Sequence, residues 1–241
     1  MNVALVQLQA QPGNLEYNLA NHLNWLRKLI PFQPNLVVFP ELSLSGYEPS
    51  LAKNLLEPLN QLDYSQIEEF ATQLNTEIWL GLPIPGLNKS KIGLRITKAN
   101  GTLTHYAKRF LHADEFPFFE QGKESYTTTI KTKTIKATIC YETFTPQIAE
   151  EISNEQPDMV IASVAKTEES CLNSFNYLKK LATKTSLGLG IVNAIGPNDS
   201  YVSGGLTSFF NTAGEQLGML PYNKEGILLI DTLQNTAKII P

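Results

Sequence analysis

The chain has 241 residues, 42% of them hydrophobic and 17% charged, a composition that excludes a disordered or low-complexity protein. Its 19 basic and 23 acidic residues leave a net charge of −4 and a pI of about 5.5, so the charge balance argues against nucleic acid or an anionic membrane as a partner. Two cysteines, Cys140 and Cys171, and three histidines, His22, His105 and His112, show neither zinc-ligand spacing nor a disulfide framework. No metal is therefore expected, and a reducing compartment fits. The opening MNVALVQLQAQPG lacks the features of a signal peptide, and no apolar run approaches the roughly 18 residues of a membrane span. A soluble, cytoplasmic protein is expected, with residues 1–241 forming one domain.

Strands and amphipathic helices alternate along the first half. Residues 2–8 read as a strand, and Asn14 caps a helix whose Leu15, Leu19, Leu23, Leu26 and Ile30 share one face until Pro31 ends it. Asn35 to Phe39 reads as a buried strand stopped by Pro40. Ser65 with Glu68 predicts a capping box ahead of Ile67, Phe70, Ala71 and Leu74 at helical spacing, and residues 77–82 form the next strand. Residues 91–140 read as strands joined by turns, Asn100-Gly101 being a hairpin signal. TIKATI, residues 134–139, runs straight into Cys140.

Thr145 and Pro146 then supply the N-cap and first residue of a helix. Asp158 to Ser163 and Leu187 to Val192 read as strands flanking a helix that carries Cys171, Phe175, Leu178 and Ala182 on one face. Residues 205–211 and 216–230 close the chain as hairpins. The Gly/Pro clusters at 83–86 and 196–205 read as loops. The pattern predicts a sheet-rich α/β or α+β domain with helices on one face of each sheet.

Three strand ends carry reactive side chains. Cys140 ends an apolar strand just before a turn into a helix. That place suits a buried core cysteine, and it equally suits a nucleophile held by a rigid strand beside a backbone N–H. A free thiol has a pKa near about 8.5 and needs a base or a positive neighbour to attack at neutral pH. The histidines lack the local signatures of cysteine proteases, which leaves a carboxylate as the candidate base. Glu41 follows NLVVFP at the carboxyl end of a buried strand, where an unpaired charge would be costly. Lys108 closes TLTHYAK; read alone it is a surface charge, and beside Glu41 and Cys140 it would lower the thiol pKa and stabilise an oxyanion. Glu115 follows in the aromatic setting of Phe116, Phe118 and Phe119.

PELSLSGY at 40–47, YAKRFLHADEFPFF at 106–119 and TICYETFTP at 138–146, in that order, resemble the motifs of the nitrilase superfamily, the carbon–nitrogen hydrolases. The likeness runs over nearly the whole chain, from NVALVQLQAQPGNLEYNL to GIVNAIG at 190–196 and GGLTSFFNTAGE at 204–215. It implies an α+β fold, a four-layer α-β-β-α sandwich, that associates into homodimers or larger homo-oligomers. By the same resemblance Cys140 matches the nucleophile, Glu41 the general base, Lys108 the lysine that stabilises the tetrahedral intermediate, and Glu115 the second glutamate. Tyr47, Phe116 and Tyr141 stand beside these motifs as candidate pocket walls, and Val164 and Ala165 as candidate borders of the substrate site. The segment Glu142-Thr143-Phe144-Thr145 lacks the arginine that often follows the cysteine in relatives acting on carboxylate-bearing amides.

The expected activity is hydrolysis of a non-peptide C–N bond in a small amide through a thioester, with no cofactor. Nitrile hydrolysis and acyl transfer would use the same residues. A non-catalytic binding or scaffold protein of the same fold is the alternative from another class, and the presence of all four catalytic-type residues speaks against it.

Overall fold

The computed structural model describes residues 1–241. Two sheets face each other. The first has seven strands in the order β15-β14-β1-β2-β3-β4-β5 and the second six, β13-β12-β9-β8-β7-β6. The first is built from β1 (Asn2–Gln7), β2 (Leu36–Val38), β3 (Glu77–Ile84), β4 (Lys91–Thr97), β5 (Leu103–Ala107), β14 (Gly226–Asp231) and β15 (Thr236–Ile240). The second contains β6 (Thr127–Ile130), β7 (Lys133–Ile139), β8 (Met159–Val164), β9 (Gly188–Asn193), β12 (Ser208–Phe210) and β13 (Gln216–Met219). A small hairpin, β10 (Ile195–Pro197) with β11 (Val202–Gly204), lies apart from both. The centre of each sheet is parallel, β1-β2-β3 in one and β7-β8-β9 in the other, with antiparallel strands outside.

The strand alternation sorts side chains into three cores. In β1, Val3 and Leu5 point between the sheets, where they meet Trp79, Ile135, Ile161 and Phe209, while Ala4 and Val6 point outward. On that outer face lie α1 (Leu15–Leu29), α2 (Leu56–Gln61) and α3 (Ser65–Gln73), which pack Leu19, Leu23, Leu26, Leu59, Ile67 and Ala71 against Val37, Phe39, Ile78 and Leu80. On the far face of the second sheet, α4 (Pro146–Glu155) and α5 (Glu168–Thr185) pack Ile148, Ile152, Cys171, Phe175 and Leu178 on Val160, Ala162, Val164, Leu189 and Ile191. The layers are therefore α-β-β-α, the architecture expected. No helix is long and apolar enough to cross a membrane.

Local expectations hold where the cap chemistry is short-range. The Asn14 side chain accepts from the Tyr17 N–H, and Thr145 accepts from Ile148 ahead of Pro146 at the helix start. Four departures have physical reasons. Ile30 is exposed, because Pro31 draws residues 30–32 into a separate 3-10 turn. The Ser65/Glu68 capping box does not form: the Ser65 N–H donates to Asp63, and Glu68 is taken by Arg95 at 2.7 Å. Residues 83–84 are strand, not loop. Pro83 pairs with Ile92 on one side, while the β2 partner on the other side ends opposite Trp79, so no ladder bond to β2 is lost. The 196–205 segment holds the β10-β11 hairpin and not an open loop, because Ile195, Gly196 and Pro197 pair antiparallel with Gly204, Ser203 and Val202.

Candidate active site

The carboxyl ends of β2, β5, β7 and β8 meet along one rim of the sandwich. Each strand hands its next residues to the space between the sheets: Glu41 after β2, Lys108 after β5, Cys140 after β7 and Ala165 after β8. Two contacts tie the sheets there. The Ser163 hydroxyl donates to the Phe39 carbonyl at 2.7 Å, and the Ala165 N–H donates to Glu41 Oε2 at 3.2 Å.

Lys108 is completely buried, and its ammonium donates to Glu41 Oε1 at 2.9 Å and to Glu115 Oε1 at 2.5 Å. Glu115 is pinned in turn by the Tyr47 hydroxyl at 2.9 Å and the His112 N–H at 2.8 Å. An ammonium has three donors, so two carboxylates leave one N–H uncommitted. Burial is the largest influence on Glu41. It lifts the carboxyl, Lys108 pulls it back, and the charge of Glu115 adds to the lift, leaving a pKa of about 7. Burial alone would lower the Lys108 ammonium, but Glu41, Cys140 and Glu115 outweigh it and hold the ammonium charged well above its ordinary value.

Cys140 stands in the left-handed region at φ +49°, a conformation that disfavours side chains and persists only when the surroundings hold it. It opens a 3-10 turn, Cys140–Phe144, that swings the half-buried thiol off the strand axis into the cleft. Burial, then the neighbouring Glu41 charge, push the thiol up to about 12. The sulfur therefore stays protonated beside a carboxyl that titrates near neutrality.

Glu142 fastens this turn. Its fully buried carboxylate accepts from Ile139 N at 2.6 Å, Arg109 N at 2.7 Å and Tyr106 Oη at 2.5 Å. One side chain thus grips the residue before Cys140 and the residue after Lys108. The sequence showed Glu142 inside the Cys-Tyr-Glu run but nothing of what it would reach.

A cleft of about 260 Å³ opens over the sulfur. Of the candidate wall residues, Tyr47, Tyr141 and Ala165 line it, together with Glu115 and Cys140. Val164 and Phe116 do not. Val164 is the last residue of β8 and points to the helix-side core, while Phe116 is exposed on the turn after Glu115. His112, Asp114, Phe144, Lys166, Thr167, Ser170 and Tyr201 complete the lining, and sequence reasoning named none of them as wall residues. Tyr201 packs edge-on to Tyr47 at 5.7 Å and donates to the Ala165 carbonyl at 2.9 Å. No group of three or more His, Cys, Asp or Glu side chains is placed to hold a metal ion.

The carbon-nitrogen hydrolase profile matches residues 2–238. The chain belongs to the carbon–nitrogen hydrolase family. Among solved structures it resembles an amidase from Nesterenkonia sp. AN1 carrying the Michael adduct of acrylamide at its active site cysteine, with a TM-score of 0.86, 21% identity, and coverage of 98% of this chain and 96% of that one. The same amidase in complex with butyramide superposes with a TM-score of 0.84 at 21% identity, over 97% and 93% of the two chains. Among curated proteins it is 24% identical over 241 residues to a glutamine-dependent NAD(+) synthetase of Aquifex aeolicus, covering 95% of this chain but 42% of the synthetase. It is 22% identical to a "Probable nitrilase" of Schizosaccharomyces pombe, over 94% of this chain and 86% of that protein. The chain thus spans less than half of the synthetase and most of the nitrilase-named protein.

Proposed function

We propose that the protein hydrolyses a small amide through a thioester on Cys140, with Glu41 as general base and acid and Lys108 as electrostatic stabiliser. The observation that carries this reading is the buried Glu41–Lys108–Glu115 cluster, with its 2.9 and 2.5 Å contacts, beside a thiol that lines a cleft of about 260 Å³.

As Cys140 Sγ attacks the amide carbon, Glu41 takes the thiol proton, so no free thiolate has to form in the buried site. The carbonyl oxygen becomes an oxyanion, met by the third N–H of Lys108 and by the Tyr141 N–H at the start of the Cys140–Phe144 turn. Such a donor is typically worth roughly 3–4 kcal/mol of barrier. Glu41 then gives its proton to the amide nitrogen, the C–N bond breaks, and ammonia or an amine leaves. Water adds to the thioester as Glu41 accepts one of its protons. The C–S bond breaks, the acid departs, and the proton returns to sulfur. Glu115 touches neither sulfur nor base directly. It fixes the ammonium through one oxygen and is fixed itself by Tyr47 and His112.

The test is ammonia release from a set of short aliphatic amides, with mass spectrometry of the intact protein to catch the acyl adduct. Wild type should release ammonia and carry one acyl group on Cys140. Cys140→Ala should do neither. Cys171→Ala, changed in the helix-side core away from the cleft, should do both. Turnover by Cys140→Ala, or an adduct on Cys171, would overturn the assignment.

A further inference from the structure

The parallel ladder between β8 and β9 ends at Val164, opposite Asn193. The chain just beyond it serves the site, since the Ala165 N–H reaches Glu41 Oε2 at 3.2 Å. A side chain continues the pairing where the ladder stops. Asn193 Oδ1 accepts from the Lys166 N–H at 2.8 Å, and Asn193 Nδ2 donates to the Lys166 carbonyl at 3.0 Å. The carboxamide does for Lys166 what the ladder does for the strand before it, supplying an acceptor for its N–H and a donor for its carbonyl.

Asn193 is fully buried and has no polar group to spare. The second Nδ2 hydrogen goes to the Gly205 carbonyl at 2.7 Å, and the Asn193 N–H goes to Thr207 Oγ1 at 3.0 Å. The Thr207 N–H donates in turn to Oε1 of Gln7, a buried residue on β1 of the facing sheet, at 2.9 Å. The peptide groups on either side of Ala165 are held as well. The Val164 carbonyl accepts from the Ala194 N–H at 3.3 Å, and the Ala165 carbonyl accepts from the Tyr201 hydroxyl at 2.9 Å. With those carbonyls fixed and Lys166 clamped, the Ala165 N–H is left aimed at Glu41. An aspartate at 193 would offer no donor, and a serine hydroxyl is too short to span Lys166 and Gly205.

We propose that Asn193 is a positioning residue for the general base: by fixing Lys166 it aims the Ala165 N–H at Glu41 and holds the carboxylate where it takes the Cys140 proton. This deepens the amidase reading and rests on it. Glu41 is gripped from both sheets, Oε1 by Lys108 after β5 and Oε2 by Ala165 after β8. The titratable groups that face it are Lys108, Glu115, Cys140 and the phenols of Tyr47 and Tyr201. Asn193 bonds to none of them, so a change at 193 reaches Glu41 through the segment after β8. A hydrogen bond to the ionised carboxyl favours that form, and its loss raises the pH at which Glu41 ionises.

The experiment reads Asn193→Ser, which keeps a hydroxyl in the buried site but gives up the clamp. Its kcat for ammonia release should fall about tenfold, the effect of moving a reacting group by a fraction of an ångström, with KM little changed. The acid limb of kcat/KM should move up by about half a pH unit or more. A second arm needs no turnover: the Glu41 carboxyl is titrated by NMR in protein labelled at its glutamate carboxyl carbons, the signal being assigned by its loss in Glu41→Gln, and should move up equally. Repeating the comparison in a Lys166→Met background removes the Lys166 ammonium, which faces Cys140, as a cause. Ile191→Val, on the same strand in the helix-side core, loosens packing without touching the clamp and should leave both midpoints in place. Should Asn193→Ser fail to fold, Tyr201→Phe decides: it removes the hydroxyl on the Ala165 carbonyl from a half-buried ring and should raise the Glu41 titration by less. A folded variant whose Glu41 titration stays put or moves down overturns the proposal, whatever its kcat. If wild type releases ammonia from no amide, the amidase reading fails instead, and the Glu41 titration alone decides whether Asn193 positions that carboxylate.

Discussion

Replacing Glu142 by glutamine tests whether the clasp, and not only the reacting groups, makes the site. Glu142 Oε1 accepts from Tyr106 Oη and Ile139 N, and Oε2 accepts from Arg109 N. A carboxylate is the one side chain of this length that is acceptor-only at both ends. In the amide, the oxygen can serve either the Ile139 side or the Arg109 side, and the NH₂ group must face a backbone N–H on the other. One buried donor left unpaired costs about 1–3 kcal/mol, and the loss of charge from the remaining bonds adds about 1 kcal/mol. Glu142→Gln should therefore lower unfolding stability by about 2–4 kcal/mol. The two backbone groups adjoin Cys140 and Lys108, so the same change moves both reactive atoms. A displacement of about 1 Å in such a constellation costs on the order of 100-fold in rate. The expected result is a kcat about 10–100-fold lower with a smaller effect on KM, read by ammonia release, with stability from urea denaturation. A variant within about 0.5 kcal/mol of wild-type stability and within about threefold of its kcat would refute the reasoning.

Two further expectations concern protons. With Glu41 at about 7, kcat/KM should rise as pH passes through about 7 and then level, since the base works ionised; Glu41→Gln should abolish both the rise and the turnover, and a wild-type profile flat from mildly acid to neutral pH would count against Glu41 as the base. His22 is buried, with one ring nitrogen 2.6 Å from the Asn18 carbonyl and the other 2.9 Å from Ser43 Oγ, and burial lowers it from 6.5 to about 4. A depressed folded pKa means that its contribution is complete above pH 6.5 and is lost as pH falls toward 4, a loss of about 3 kcal/mol over that interval. His22→Gln should flatten this part of the stability curve in urea denaturation across a pH series, whereas an unchanged acid slope would show that other groups carry it.

How much of this was legible in the sequence depended on the range of the interaction involved. Asn14, Thr145 and Pro146 act within one helical turn, and their caps were readable. Glu41, Lys108 and Cys140 were legible as strand-end residues, and the resemblance supplied an order in which to connect them; that they converge on one rim depends on stacking two sheets, which no local pattern encodes. Glu68 was misjudged because a partner 27 positions away, Arg95, outbid its own helix end. Val164 and Ala165 show the limit at the scale of one residue. Consecutive residues at a strand end point to opposite sides, so one entered the helix-side core and the other the cleft, and the parity was not readable without the register of β8. Lys166, Phe144 and Tyr201 reach the cleft from three separate segments, and only the folded chain shows that they share it.

The charges of the rim explain why a carboxylate could serve here where a histidine is the usual partner of a cysteine. A histidine beside a thiol can take its proton in the resting state and leave a thiolate–imidazolium pair. In this cluster one ammonium already faces two carboxylates, and a thiolate would add a third negative charge beside these buried groups. Burial therefore forces a choice of where protons reside. It holds the thiol protonated, up to about 12, and brings Glu41 to about 7. In the proposed mechanism the sulfur becomes nucleophilic as its proton passes to Glu41, and the negative charge then moves onto the substrate oxygen, where the third N–H of Lys108 would meet it. The number of negative charges in the cleft stays constant through the step; only their position changes. On this reading the buried lysine is matched to the transition state and not to the resting thiol.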